Sequence, residues 1–352
     1  MGTAIHCTSR APAGSFPGFR RASIAAALAC LALVCGLAPA AGASDPLAPF
    51  RTLDPAVAAR LVALDPDRIA PADVGEVLAH VPAPRIVALQ GSVAFVTMEP
   101  FAEFLVAMGY PRDRLVNPRD GTLSYDSHAD SARLAGEIAW WYERDALMPM
   151  LIGHSQGGML ALKTLHELAG TFGRAIPVWP PGDEQPLPRT TVRDPLTGAD
   201  RPVVGLEVGY AAALATGKLP RVLLLQWSML PYLRQVPDSV AEFTGFSLPG
   251  DLIAGTLFGD EPYRASGTAR VRNVTLPTAY SHIGLPRARH LAADPVTRTW
   301  IEQYAPAAAM PLPAQPGVDT VNLLHAADIW HSVKKHWCLE AQRALRAADG
   351  AS

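Results

Sequence analysis

An α/β fold, with a mostly parallel central sheet carrying helices on both faces, is what the chain from about residue 85 onward predicts, on three observations. Short apolar or β-branched runs alternate with amphipathic helical stretches, the pattern that parallel strands and their crossover helices leave in a sequence. Gly153-His154-Ser155-Gln156-Gly157 stands between an apolar run and a helical stretch. Asp251 and His282 then follow, each at the end of a later strand-like run.

Each element has its own signal. Arg85 to Leu89 reads as a buried strand that stops at Gln90-Gly91-Ser92. Pro100 opens a helix whose Phe101, Phe104, Leu105 and Met108 recur on one face, and Gly109 closes it. Arg114-Leu115-Val116 reads as the next strand, and Asp130 to Glu143 as a helix with Leu134, Ile138 and Trp141 on one side. Met148 to Ile152 is a strand leading into the glycine-flanked serine, and Gly170 ends the helix after it. Ala175 to Trp179 is a further strand candidate, although Pro177 would remove a ladder bond from it.

From Pro180 to about Val240 the periodicity breaks. Six prolines between 180 and 202 mark irregular chain, and the apolar stretches 208–216 and 222–233 follow. An insertion at this point would lie over the edge of the sheet where the serine emerges, so it reads as a cap. Trp227, Met229, Leu230 and Tyr232 would either line an apolar pocket or pack the cap onto the body. Two strand-like runs resume at 242–248 and 271–276, and Asp294-Pro295 caps a helix running to Tyr304. After a proline- and alanine-rich link, Ile329, Val333, Trp337 and Ala341 mark a C-terminal helix within an extension at about 317–348.

The first 43 residues read as a leader. Arg10, Arg20 and Arg21 precede an uncharged stretch, 24–38, and Ala41-Gly42-Ala43 offers the small residues a signal peptidase requires. That stretch is short for a membrane span, so the expectation is a soluble chain exported to a periplasm or beyond; an uncleaved anchor is the alternative. The remaining 309 residues, 44–352, suffice for one domain with insertions. The leader contains three of the four cysteines, which leaves Cys338 and no internal disulfide. It also contains three of the 30 basic side chains and none of the 32 acidic ones, so 27 face 32 after its removal. A mildly acidic chain without a basic cluster argues against nucleic acid as a partner.

The chemistry lies in the serine motif. A strand that turns directly into a helix forces the residue at the turn into a strained conformation with its side chain projecting, and glycines two residues to either side make room for it. A serine hydroxyl is a weak nucleophile at neutral pH. It needs an imidazole to take its proton, and the imidazole needs a carboxylate to fix its tautomer. In a parallel sheet of this kind the acid and base follow the serine on later strand ends, an order that Ser155, Asp251 and His282 satisfy. His325 is the rival base, after the short apolar run 321–324, and Asp238, Glu242 and Asp260 are rival acids. His325, Asp328, His331 and His336 lack the spacing of a metal-binding pair and read as a solvated helix, so no metal and no other cofactor is expected.

Ile152 to Gly158, with Tyr280-Ser281-His282-Ile283-Gly284-Leu285 and the helix after Asp294, resembles bacterial lipases and esterases of the α/β-hydrolase fold. Gly109-Tyr110-Pro111 is similar to a turn those enzymes often carry. The resemblance covers about residues 85 to 304 and leaves 44–84 and the last 48 residues unaccounted for. It implies ester hydrolysis through an acyl-enzyme, with Ser155 as nucleophile, His282 as acid and base and Asp251 orienting it. The backbone N–H groups of Gln156 and of Ser92 or Val93 would form the oxyanion hole, although Gln90-Gly91 stands where a His-Gly pair is common. The substrate would be a small-molecule or lipid ester; amide or acyl-transfer chemistry, or binding without catalysis, are the alternatives on the same scaffold.

Overall fold

The computed structural model describes residues 45–93, 95–217, 227–255, 261–308 and 310–350, all within one unit. The leader, Asp260 and residues 222–226 of the apolar run 222–233 lie outside the described residues.

Three short helices come first: α1 (Ala48–Arg51), α2 (Pro55–Ala63) and α3 (Pro71–Glu76), each with a proline in its first turn. Proline is favoured there because its missing N–H would have had no helical partner. Strand β1 (Ile86–Leu89) and α4 (Glu99–Ala107) follow, and Gly109, at φ +110°, turns the chain out of α4. Helix α5 (Ser131–Asp145) is capped by the Asp130 carboxylate on the Ala132 N–H. Strand β2 (Met150–His154) then runs into α6 (Gln156–Leu168). The hairpin β3 (Thr191–Arg193) and β4 (Asp200–Pro202) precedes the wholly buried β5 (Val208–Leu214). Two-residue β6 (Gln235–Val236), long β7 (Val240–Ser247), two-residue β8 (Arg264–Ala265) and β9 (Arg270–Thr275) complete the strands. Helices α7 (Arg289–Ala293), α8 (Pro295–Gln303) and α9 (Leu323–Gly350) close the chain.

The central sheet has the order β1-β2-β5-β7-β9, and all four pairings are parallel. Alternate side chains face opposite ways along a strand, so each strand feeds two cores. Ile86, Ala88, Met150, Ile152, Tyr210 and Ala212 join a core with α1–α4 and α7–α9. Val87, Leu89, Leu151, Ala211 and Ala213 face α5 and α6. Helices on both faces make this an α/β fold with a parallel central sheet, as the alternating pattern predicts. Full burial of a side chain such as Leu151 or Ile152 contributes about 1.5–3 kcal/mol.

Four expectations are corrected. Residues 114–116 do not form a strand: a 3-10 turn at Arg112–Arg114 occupies the place, and β1 instead makes a single bridge from Leu89 to Tyr125. Residues 175–179 join no strand either. Their hydrogen bonds go to a local loop, Leu187 N–H to Val178 O and Val178 N–H to Arg189 O, and to α5, where the Trp179 N–H meets Gly136 O.

The third concerns the cap at about 180–240. Residues 208–214 are β5, in the middle of the sheet, because a strand buried on both faces is a continuous apolar run and lacks the alternation that betrays half-buried ones. The chain before it lies along α5: Arg133 reaches Asp183 O at 2.6 Å, Arg189 pairs with Glu143, and the Tyr142 hydroxyl meets Asp194 at 3.0 Å. Of the apolar four, Met229 is in the core and Tyr232 packs on His166 and Phe172, while Trp227 and Leu230 are exposed.

The fourth correction is that α9 is not solvated. His325, Asp328, Trp330, Lys334, His336 and Trp337 are all buried. Several of its polar groups find internal partners: Asp328 with Arg272 (2.7 Å), Lys335 with Glu242 (2.9 Å), and Lys334 Nζ with Ile69 O (2.8 Å). Gln342 donates to Leu61 O and Leu64 O, and Trp337 to Pro82 O, so α9 is the post on which the N-terminal helices are tied.

Candidate active site

Every strand of a parallel sheet ends on the same side, and the loops there bring together residues distant in sequence. Ser155 is the residue between β2 and α6, at φ 52° and ψ −115°, well outside the regions a serine ordinarily occupies. The surroundings enforce this. A Cβ on Gly153 would lie 2.4 Å from the Gly157 backbone, and one on Gly157 would lie 2.2 Å from the Leu89 carbonyl oxygen. The Ser155 N–H is tied to Leu214 O at 2.8 Å, at the end of β5. The strain is therefore held from three neighbouring strand ends, and Ser155 is left half-buried.

Asp251 lies just beyond β7 and His282 beyond β9, on a 3-10 turn at His282–Gly284. The structure brings all three residues together: Ser155 Oγ is 2.9 Å from His282 Nε2, and His282 Nδ1 is 2.6 Å from Asp251 Oδ2. A carboxylate only accepts, so Nδ1 carries the proton and Nε2 presents its lone pair to the serine hydroxyl. The other carboxylate oxygen of Asp251 accepts the N–H groups of Ile253 and Ala254, both at 3.0 Å. Burial by itself would raise the Asp251 pKa. The hydrogen bonds from His282 and from these amides outweigh it and hold the group below the usual carboxylate range.

The rivals lie elsewhere. Glu242 is at the opposite end of β7, paired with Lys335, and the Asp238 carboxylate binds the N–H groups of Thr268 and Ala269. His325 is fully buried in the first turn of α9 and bonds to Leu285 O at 2.9 Å. Asp328, on the same helix, takes Arg272 and Tyr304 as partners, and no group of three or more potential metal ligands forms among the described residues.

Gln156 opens α6, so its N–H has no helical acceptor and points toward the serine's end of the sheet. The loop after β1 lies directly alongside: a Cβ on Gly91 would come within 3.5 Å of Ser155 Cβ. Ser92 and Val93 continue from it on an exposed bend. Two serines brace this loop, Ser127 donating to Gly91 O at 3.1 Å and Ser124 to the Gln90 side chain at 2.9 Å.

His154, inside the serine motif, has a part that its sequence position does not announce. Its Nε2 donates to the His282 carbonyl oxygen at 2.9 Å, joining the serine's strand to the turn that carries the imidazole. Burial, with the neighbouring His282, drives its pKa down to about 3, so the ring stays neutral. Exposed apolar side chains stand next to each of the three loops: Val93 and Phe95 after β1, Leu252 and Ile253 beside the aspartate, and Ile283 beside the histidine.

Comparison with protein-family models, with curated proteins and with solved structures found no match to this chain.

Proposed function

We propose that this chain is a serine hydrolase of the α/β-hydrolase fold that cleaves a carboxylic ester through an acyl-enzyme. The observation that carries the reading is the unbroken hydrogen-bond chain from Ser155 to His282 to Asp251, on a serine held in a strained turn. In this reading His282 takes the serine proton as the hydroxyl attacks the ester carbonyl, and Asp251 stabilises the imidazolium that results. The tetrahedral oxyanion is held by the N–H groups of Gln156 and of Ser92. His282 then returns its proton to the departing alcohol, and a water activated by the same imidazole releases the acid. No cofactor is required for these steps.

The exposed apolar side chains beside all three loops support a substrate with a lipophilic acyl or alcohol part, a small-molecule or lipid ester. The leader-like first 43 residues support an exported enzyme.

The test is labelling with a fluorophosphonate, followed by mass-spectrometric mapping, together with ester turnover in Ser155→Ala. Modification at Ser155 and a loss of turnover of about 10⁴-fold or more in the folded variant are expected. An unlabelled Ser155 in folded protein, or turnover that survives the substitution, would reject the reading.

A further inference from the structure

The turn that carries His282 is held by residues that belong neither to the sheet nor to the serine motif. Asn322 Nδ2 donates to Gly284 O at 2.8 Å and to Arg287 O at 3.0 Å. His325 Nε2 donates to Leu285 O at 2.9 Å. The Tyr280 hydroxyl, two residues ahead of His282, donates to Thr320 O and accepts the Leu324 N–H, both at 3.1 Å. The start of α9 is thus fastened to the base-bearing turn from both sides of His282.

Two of these residues break ordinary local rules to do so. Asn322 stands immediately before the helix, where an asparagine side chain normally accepts a helical N–H through its oxygen. Here its Oδ1 is buried with no partner among the described residues, its backbone sits at φ +71°, and its amide nitrogen is spent on the two turn carbonyls. Two carbonyl acceptors fix which end of the amide faces them. His325 is fully buried among Phe101, Phe246 and Tyr280, and its Nδ1 likewise has no partner among the described residues. A helix start optimised for its own stability would not carry two orphaned polar atoms within four residues.

We infer that Asn322 and His325 are positioning residues for His282, so that the C-terminal helix is a working part of the hydrolytic site. This rests on the serine-hydrolase reading proposed above. The two donors fix the carbonyls at 284, 285 and 287, and with them the height and tilt of the turn, while His154 fixes the carbonyl of His282 itself. The imidazole is thereby held at once within reach of Ser155 and of Asp251. Reacting groups misplaced by about 1 Å lose on the order of 10²-fold in rate, so support of this kind registers in turnover before it registers in substrate binding.

Three variants test it. Asn322→Gly removes the donor and accepts the positive φ without strain. His325→Phe removes the other donor while keeping an aromatic ring among the same neighbours. His325→Gln keeps an N–H near the place of Nε2. Each is checked for folding by near-UV circular dichroism, then assayed for the rate of fluorophosphonate attack on Ser155 and for kcat and KM on a chromogenic ester.

Expected is a fall of about tenfold or more in labelling rate and kcat for Asn322→Gly and His325→Phe, with KM within about twofold. His325→Gln should recover to within about threefold of the parent. Wild-type labelling rates in folded Asn322→Gly and His325→Phe would overturn the inference, as would a His325→Gln no faster than His325→Phe. If one donor-less variant does not fold, the other decides. A parent protein whose Ser155 never labels would instead reject the hydrolase reading itself, so the two failures are distinguishable.

Discussion

Asp251 is the residue on which the proposed chemistry is most sharply testable, because its two oxygens have separate tasks. One accepts from His282, and the other is occupied by the Ile253 and Ala254 amides. Asp251→Asn keeps the size of the side chain, but an amide group facing His282 Nδ1 selects the tautomer that places the proton on Nε2, where it opposes the serine. We expect kcat to fall by about three to four orders of magnitude while the thermal midpoint changes little. A fall of less than tenfold would mean that Asp251 does not orient the base. Ser155, Asp251 and His282 were legible as a sequence because their types and order are dictated by the chemistry. His154, Asn322 and Ser127 were not, since what matters about each is a bond to a main-chain carbonyl, and any residue type can supply the carbonyl.

Among the elements, α9 departs furthest from what its sequence pattern says. Its charged residues suggest a solvated surface helix, yet Asp328 is fully buried and meets both guanidinium nitrogens of Arg272, at 2.7 and 2.8 Å, with the Tyr304 hydroxyl at 3.0 Å. Arg272 lies on β9, an edge strand whose charges also deter pairing with other chains. Removing the Asp328 charge leaves Arg272 with Glu242, at 3.6 Å, as its remaining carboxylate, so Asp328→Asn should destabilise the protein by about 1–3 kcal/mol in urea titrations. The double variant Arg272→Met with Asp328→Leu should regain most of that loss. Equal destabilisation in both would show that packing, and not the weakened charge pairing, dominates. Strand β5 illustrates the converse difficulty: its run Val208-Gly209-Tyr210-Ala211-Ala212-Ala213-Leu214 is apolar on both faces, so periodicity cannot separate it from other apolar chain. By contrast β2 is marked by the glycine-flanked serine that follows it, α5 by the helical spacing of Leu134, Ile138 and Trp141, and α6 by the Gly170 that ends it.

For the whole molecule, the buried histidines make acid the natural denaturant. His154 and His325 are held neutral by burial, with pKa values lowered to about 3 and about 4, and burial lowers His166 and His331 in the same direction. In the unfolded chain each returns to about 6.5 and binds a proton first. The sign follows: stability from these groups is fully present above pH 6.5 and drains away as pH falls toward 4. His154 and His325 each contribute a slope of about 1.4 kcal/mol per pH unit within that window, and His166 and His331 act in the same direction. Urea midpoints at pH 7, 6, 5 and 4.5 should therefore drop steeply below 6.5, and His325→Phe should lessen the slope even though it lowers the starting stability. Constant midpoints from pH 7 to 4.5 would contradict the burial of these rings.

The amino-acid sequence by itself determined the α/β class, the serine turn with its two glycines, and the order of serine, acid and base along the chain. Those are properties of local pattern: hydrophobic period, glycine placement and the residue types that proton transfer requires. Tertiary structure alone removed the rivals His325, Asp238 and Glu242, and decided where the irregular stretch after Pro180 lies and that α9 is buried and bonded to the turn carrying His282. Each of these depends on contacts between strand ends and helix starts tens to hundreds of residues apart. A polar side chain reads the same in sequence whether its partner is water or a buried carbonyl, and only the packed chain distinguishes the two.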